Sequence, residues 1–459
     1  MDLEKCVSIG LYLLFLVCLA LACIKAITRP GLAMAIVFCL WPIKQALQAR
    51  ISLFANNSAL ANFLLAGVAG MCWLVMVLRR RRLKQRPNRV LVLSIIFVLL
   101  TFASILWSPY DHFYAIAGWK AIGSYVVLLI FFLPELFTDM EMLEDLWTSF
   151  LWVGGITAVA LLFCVEWSGR AVVFPDSPLQ WNPGYGKLLP TFGNPLEVGS
   201  LGLRLALIVL LARGMRFGKG LSLARWGILL LAVALMLRSG TRATIADFAI
   251  CALIFFPLVT RDSTSSRSKA TGIVSIVLLA LIALWVQSWV STEGRWSSDA
   301  LARDTDVRTA EIANSYSAWT ESGISRFLFG FGYDASFLPQ LNIGWPEVSV
   351  AALVVDVGLI GLILWIWILG CGFWSWVCCF RLVRGNERDR ASIVLIGAFA
   401  LTDLLLSLKG SRYFYIVGWC VLIARCERYL RTTYHAASEG GERTALDPPE
   451  LIGASNFSA

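Results

Sequence analysis

The chain alternates long, continuously apolar runs with short polar interruptions. The first run, VSIGLYLLFLVCLALACIKA, starts at Val7, and others begin near Ala33, Ala59, Val90, Tyr114, Trp147, Val198, Ala224, Ala243, Gly272, Val350, Ser392 and Phe414. Each is long enough to cross about 30 Å of hydrocarbon as a helix. None alternates with a period of two, so barrel strands are excluded and helices are expected. The first run follows an acidic MDLEK and has no small-x-small cleavage site, so it reads as a retained span rather than a secretory signal. The second run is interrupted by Pro42 and Lys44. The expected fold is an all-α polytopic integral membrane protein of about 12–13 transmembrane helices, with a large periplasmic loop before the third-last span.

The interruptions set the expected sidedness. RRRRLKQRPNR, from Arg79 to Arg89, is too basic to be translocated easily and is placed in the cytoplasm. Counting onward puts RGMRFGKGLSLAR, RDSTSSRSK and RLVRGNERDR on the same side, with the carboxyl-terminal end from about Arg425. On the opposite face two connections are long. The chain therefore divides into amino-terminal spans (1–165), a first periplasmic loop (166–194), central spans (195–290), a large periplasmic loop (291–349), carboxyl-terminal spans (350–430) and a Gly-, Ser- and Pro-rich tail (431–459) that reads as disordered. The first loop, with FPDSPLQWNPGYGKLLPTFGNP, is a turn-rich segment. The second contains DTDVRTAEIANSYSAWTESG, an expected amphipathic helix behind an Asp or Thr cap, with Val307, Ile312, Tyr316 and Trp319 as its apolar positions. Gly330 and Gly332 then allow a tight turn, and the whole segment suits a cap over an active site.

Composition agrees with the pattern: 58% of residues are apolar and 15% charged, with 19 Trp and 27 Phe, and the mean hydropathy is +0.73. The net charge of +9 needs no nucleic-acid partner, because the basic residues concentrate in the cytoplasmic connections and face anionic membrane lipids. The 12 cysteines are scattered without C-x-x-C spacing and the 2 histidines are far apart, so no disulfide framework, metal site or cofactor is expected.

Charge changes the picture at LRSGTRATIADF, where Arg238 and Arg242 flank a Ser-Gly-Thr break between two runs. Helix-end arginines can snorkel to headgroups, and that reading stays open. Against it, several other cations fall on the same side: Arg170 and Lys187 in the first loop, Arg295, Arg303, Arg308 and Arg326 in the second, then Lys409 and Arg412. Guanidinium forks bind phosphate oxygens bidentately and stay charged when partly desolvated, so the collection suits a diphosphate. Arg204 lies inside a span and is expected to pair with Glu197, seven residues away on the same helix face. His112 and Asp111, in a short connection, read as interfacial residues.

The order of these pieces resembles the superfamily of O-antigen ligases and O-antigen polymerases. The resemblance rests on the TFGNPLEVGSLGLRLAL segment (Phe192 to Pro195 within it), the Ser239 to Arg242 break, Arg308 with Trp319, the Gly330 to Tyr333 turn, and Val357 to Gly361. It covers about Thr191 to Leu369 and reaches the earlier spans only by hydropathy. It implies transfer of a glycan from an undecaprenyl-diphosphate carrier to a glycan or lipid acceptor at the periplasmic face of a bacterial inner membrane, with a chain-length regulator as a further partner. It implies Arg242 as the leading catalytic residue. Arg308, Arg326, Arg412, Arg170, Arg238, Tyr333 and Asn194 are then diphosphate or glycan contacts. Ligases of this superfamily place a histidine eleven residues before the first glycine of the G-L-I-G pattern. Here that position is Glu347, which either acts as the base or caps a helix beside Pro346. The missing histidine favours a polymerase. A ligase with the same donor, and a transporter, are the competing readings.

Overall fold

A computed structural model of the chain describes residues 3–79, 88–109, 116, 126–176, 180–182, 187–189, 192–212, 214–215, 217, 219–260, 266–290, 297–333, 335, 349–383, 385–407 and 413–439. Nearly all of them are helical. In order the helices are α1 (Leu3–Ala26), α2 (Pro30–Phe38), α3 (Leu40–Gln48), α4 (Ser52–Asn56), α5 (Ser58–Leu78) and α6 (Arg89–Ala103), the last extended by a 3-10 turn at Ser104–Trp107. A π-helical turn, Leu128–Phe132, leads into α7 (Leu133–Leu136) and then α8 (Met140–Phe163). The remaining helices are α9 (Pro195–Leu211), α10 (Lys219–Arg238), α11 (Arg242–Val259), α12 (Ser266–Val290), α13 (Ser298–Thr320), α14 (Ile324–Phe329), α15 (Ser349–Leu382), α16 (Glu387–Ser407) and α17 (Tyr413–Glu439).

Among the described residues eight helices are long and apolar enough to cross a membrane, or nine when the bent pair α2–α3 counts as one span. The protein is therefore an all-α, multi-pass membrane protein. The helix α9, at 17 residues, is somewhat short for a lone span, which needs about 20. The bundle has a centre and a rim: most of α16 is buried, whereas α1 presents Val7, Leu13, Leu14, Val17 and Leu21 outward as a lipid-facing helix does.

The second span is broken, but at Cys39 rather than at Pro42. Its two limbs meet at 61°. Proline has no N–H to donate back to the carbonyl four residues earlier, so Pro42 leaves the Phe38 carbonyl without its helical partner. The Arg204 guanidinium donates to that oxygen at 3.4 Å. Arg204 also forms a buried ion pair with Asp403 of α16, and the Trp419 indole donates to the same carboxylate at 2.6 Å while stacking on Phe38 at 4.4 Å. The expected Arg204–Glu197 pair is thus replaced. Glu197 instead stands within electrostatic range of Lys44 on α3. Two turns along one helix separate Glu197 from Arg204, and each side chain faces an opposite charge on a neighbouring helix.

Ion pairs also tie one end of the bundle, where α8 begins. Asp145 holds Arg29, Glu144 holds Arg388 and Glu135 holds Arg425. At the opposite end, Arg50 donates to the Cys164 carbonyl and to Ser8 Oγ. Beyond α8 the chain leaves helical structure and forms two small antiparallel hairpins, β1 (Trp167–Ser168) with β2 (Ala171–Val172) and β3 (Gln180–Asn182) with β4 (Lys187–Leu189). The described part of the turn-rich segment thus pairs as the strands β3 and β4 in an otherwise helical protein.

Candidate functional site

The α10–α11 junction is built from a left-handed glycine and a set of hydroxyls. The helix α10 ends at Arg238, Gly240 turns the chain at φ 59°, and α11 starts at Arg242. Ser239 Oγ and Thr241 Oγ1 lie 2.9 Å apart, and Thr241 Oγ1 lies 2.8 Å from Thr244 Oγ1. These hydroxyls are buried, so the break is a fixed corner rather than a loose loop. The first turns of α9 press on it: a Cβ at Gly199 would fall 2.5 Å from Thr241 Oγ1 and 2.7 Å from Ser239 Oγ. Only glycine lets the two elements approach that closely.

The first loop packs over the same corner and brings its arginine with it. Arg170 rests against Gly240, where a glycine Cβ would lie 3.3 Å from the Arg170 Cβ. Arg238 donates to the Gly169 carbonyl at 3.1 Å and places its guanidinium 5.0 Å from the Trp167 ring. Arg170, Arg238 and Arg242 therefore gather at one corner from two separate segments. Their settings differ. Arg238 pins the β1–β2 turn to the end of α10, a local structural task, while Arg242 is the first residue of a helix whose dipole presents positive charge there.

Asn194 directs the entry of α9. Its side chain accepts from the Leu196 amide at 2.9 Å, with Pro195 at the first helical position, an arrangement typical of a helix start. Its carbonyl accepts from Gln45 Nε2 of α3 at 3.1 Å. The Phe-Gly-Asn-Pro segment is thus a helix cap tied to the broken span, and the Asn194 side chain is occupied in capping.

The second long connection provides the other part of the candidate site. The helix α13 starts earlier than expected, behind a Ser297 cap that accepts from the Ala300 amide at 3.2 Å, so Asp304 to Asp306 lie inside it. Its packed face is also different: Glu311, Ser315 and Trp319 are buried and Arg308 half-buried, while Val307, Ile312 and Tyr316 are exposed. Trp319 locks α13 to α14, donating to the Phe327 carbonyl at 2.8 Å with its ring 4.6 Å from Phe327. Arg326, on α14, is exposed and has its guanidinium 5.1 Å from the Phe331 ring.

The Gly330 to Tyr333 turn then docks onto a break in α15. Gly330, Gly332 and Gly358 have φ of 75°, 105° and 67°. A Cβ on Gly358 would sit 2.4 Å from the Gly330 amide nitrogen, and one on Gly332 would sit 2.4 Å from Ser108 Cα. Backbone bonds close the seam: the Phe331 amide donates to the Val355 carbonyl at 2.7 Å, and the Gly332 amide to the Asp356 carbonyl at 3.0 Å. Ser108, just past the 3-10 turn of α6, donates to the Tyr333 carbonyl at 2.9 Å. Tyr333 is fully buried, so it supports the turn from beneath.

The chain leaves the Arg242 corner through α11 and returns through its packed neighbour α12, so α13, α14 and the start of α15 follow on the same side. The structure thus joins Arg170, Arg238 and Arg242 in one group. It carries Arg326 and Tyr333 beside the Gly358 seam, while Arg308 lies half-buried on α13, eleven residues before Trp319. Glu347, Arg412, Lys409, Arg295, His112 and Asp111 lie outside the described residues, as do the Lys187 side chain and the tail after residue 439. Lys44, Gln45, Asp403 and Trp419 were missed as polar partners inside the bundle. The spacing of α3 carries a signal for its share of them, since Trp41, Lys44, Gln45 and Gln48 recur at i, i+3, i+4 and i+7. In comparisons with known proteins, no protein-family model matches the chain and no curated protein matches it.

Proposed function

We propose that the protein is a membrane glycosyltransferase that polymerises undecaprenyl-diphosphate-linked oligosaccharide repeat units into a surface polysaccharide, an O-antigen or exopolysaccharide, on the periplasmic side of a bacterial inner membrane. The observation that carries this reading is the gathering of Arg170, Arg238 and Arg242 at a rigid corner, with Arg242 on the first residue of α11. The amino-terminal end of a helix favours a bound anion, and guanidinium groups beside it strengthen that preference. A diphosphate leaving group is such an anion.

In the proposed reaction, the acceptor hydroxyl oxygen bonds to the anomeric carbon of the donor. The carbon–oxygen bond to the diphosphate breaks, and the diphosphate departs with the electron pair. Arginine donors fixed beforehand stabilise the charge that develops on it, the role a divalent cation plays in other transferases. Glu347 takes the hydroxyl proton in this scheme. The seam of Gly330, Gly332 and Gly358 supports the role of α13 and α14 as a cap, because its backbone hydrogen bonds, with the Ser108 hydroxyl and the Trp107–Phe329 ring contact beside them, fasten these helices to the bundle. A transport reading draws on the broken α2–α3 span, a feature of many transporters. The break is closed by Arg204 and Trp419 rather than left open to a passage, which favours the enzymatic reading.

Chromosomal deletion, with surface polysaccharide resolved by length and linkage, is the test. Loss of long chains with single capped repeats retained supports the polymerase. Accumulation of long lipid-linked chains identifies a ligase instead, and unchanged polysaccharide rules out both.

A further inference from the structure

Exposed apolar side chains on a spanning helix mark where lipid lies. On α6 they form one stripe, Val92, Ile96, Leu99, Phe102 and Leu106, separated by three or four residues and so confined to one helix face. The stripe does not stop where the span stops. Trp107, at its end, meets Phe329 of α14 edge to face with ring centroids 6.4 Å apart. Phe329 is still 42% exposed, and Ile324 at the other end of the same six-residue helix is 80% exposed. Leaving two large apolar side chains in water forgoes the stabilisation that burial gives, about 25 cal/mol per Å². Arg326 lies between them, exposed, with its guanidinium held near the Phe331 ring. Apolar anchors and an arginine on α14, with a tryptophan from the end of α6 beside them, match the chemistry of the headgroup layer, where rings and long basic side chains span from acyl chain to phosphate.

We propose that α14 is a membrane-interface anchor: Ile324 and Phe329 enter the boundary of the acyl region as a continuation of the α6 stripe, and Arg326 binds phosphate groups of the surrounding bilayer lipids. Arg326 then serves the bilayer rather than the substrate diphosphate. This inference rests on the spanning character of α6 and is independent of the glycosyltransferase reading. Its consequence is positional. The Gly330 to Tyr333 turn follows α14 directly, so the anchor sets the height of that turn above the lipid surface.

The test uses the full chain in nanodiscs of phosphatidylcholine and phosphatidylglycerol, free of any polyprenyl diphosphate. One preparation carries a lipid with a photoreactive diazirine high on its acyl chain, the other a lipid with a photoreactive headgroup, and labelled peptides are read by mass spectrometry. The expected result is acyl labelling of Ile324 and Phe329 alongside the α6 stripe, and headgroup labelling beside Arg326. In the Ile324→Ser/Phe329→Ser variant, acyl labelling of α14 falls about tenfold or more, while labelling of the α6 stripe stays unchanged and reports an intact fold. Arg326→Ala reduces headgroup labelling alone. A wild-type chain labelled on α6 and unlabelled on α14 overturns the anchor. Headgroup labelling that is absent until polyprenyl diphosphate is added overturns the assignment of Arg326 to bilayer lipid.

Discussion

Arg242 stands where a helix tolerates a cation least, and Arg238, four residues earlier, stands where one is welcome, at a helix carboxyl end. The two arginines of one short break are therefore expected to respond differently to substitution. Arg242→Lys keeps the charge and removes the bidentate fork, and polymer synthesis in cells at matched protein level should fall about tenfold or more. Arg238→Lys loses its contact with Gly169 and the Trp167 ring, so the expected outcome is a modest loss of thermal stability with most polymer retained, read from melting of the purified protein and from polysaccharide length. At this scale the sequence was legible where a polar residue interrupts an apolar run, because lipid makes such a residue conspicuous. The partners were less legible. Arg204 and Asp403 are separated by 199 positions, and nothing local to either residue announces the other.

At the scale of elements, the broken span and the α15 break carry the sharpest energetic expectations. Removing one member of a buried ion pair leaves the other uncompensated, so Arg204→Ala or Asp403→Asn should each lower stability by about 3–5 kcal/mol. Replacing both with leucine should recover much of that loss in the same melting experiment. A recovery no better than the single variants would mean that the contact of Arg204 with the Phe38 carbonyl, rather than the pair, holds the break. Gly358→Ala combines a left-handed backbone with a Cβ 2.4 Å from the Gly330 nitrogen, and a destabilisation above about 2 kcal/mol is expected by the same measurement. The glycines of the G-x-G-Y turn were readable as a tight turn. That the turn fits a second glycine break was not readable, since the only polar interruption near Gly358 in the run VVDVGLIGLIL is Asp356, which marks a polar contact rather than a backbone break. The break at Cys39 was displaced from its expected place because proline disrupts the carbonyl four residues before it, not its own position.

At the scale of the molecule, apolar run length and the basic connections conveyed the class directly, while the two β-hairpins escaped because their strands are two or three residues long. The expected sidedness is open to a direct check. A reporter active only outside the cytoplasm, fused after Ala300, should be active, and one fused after Ala212 should be silent. The reverse pattern would invert the molecule and remove the proposed site from the side where lipid-linked glycans are joined. The glycine seam has one more consequence at this scale. Main chain touches main chain where the Gly330 to Tyr333 turn meets the Gly358 break, and Phe331 against Val355, buried Tyr333 and the Ser108 hydroxyl complete the joint from beneath. Under the proposed glycosyltransferase reading, residues of α13 away from that joint are free to drift toward a different sugar without loosening its attachment. On that reading the segment is an interchangeable cassette, its specificity diversifying while its mounting stays the same.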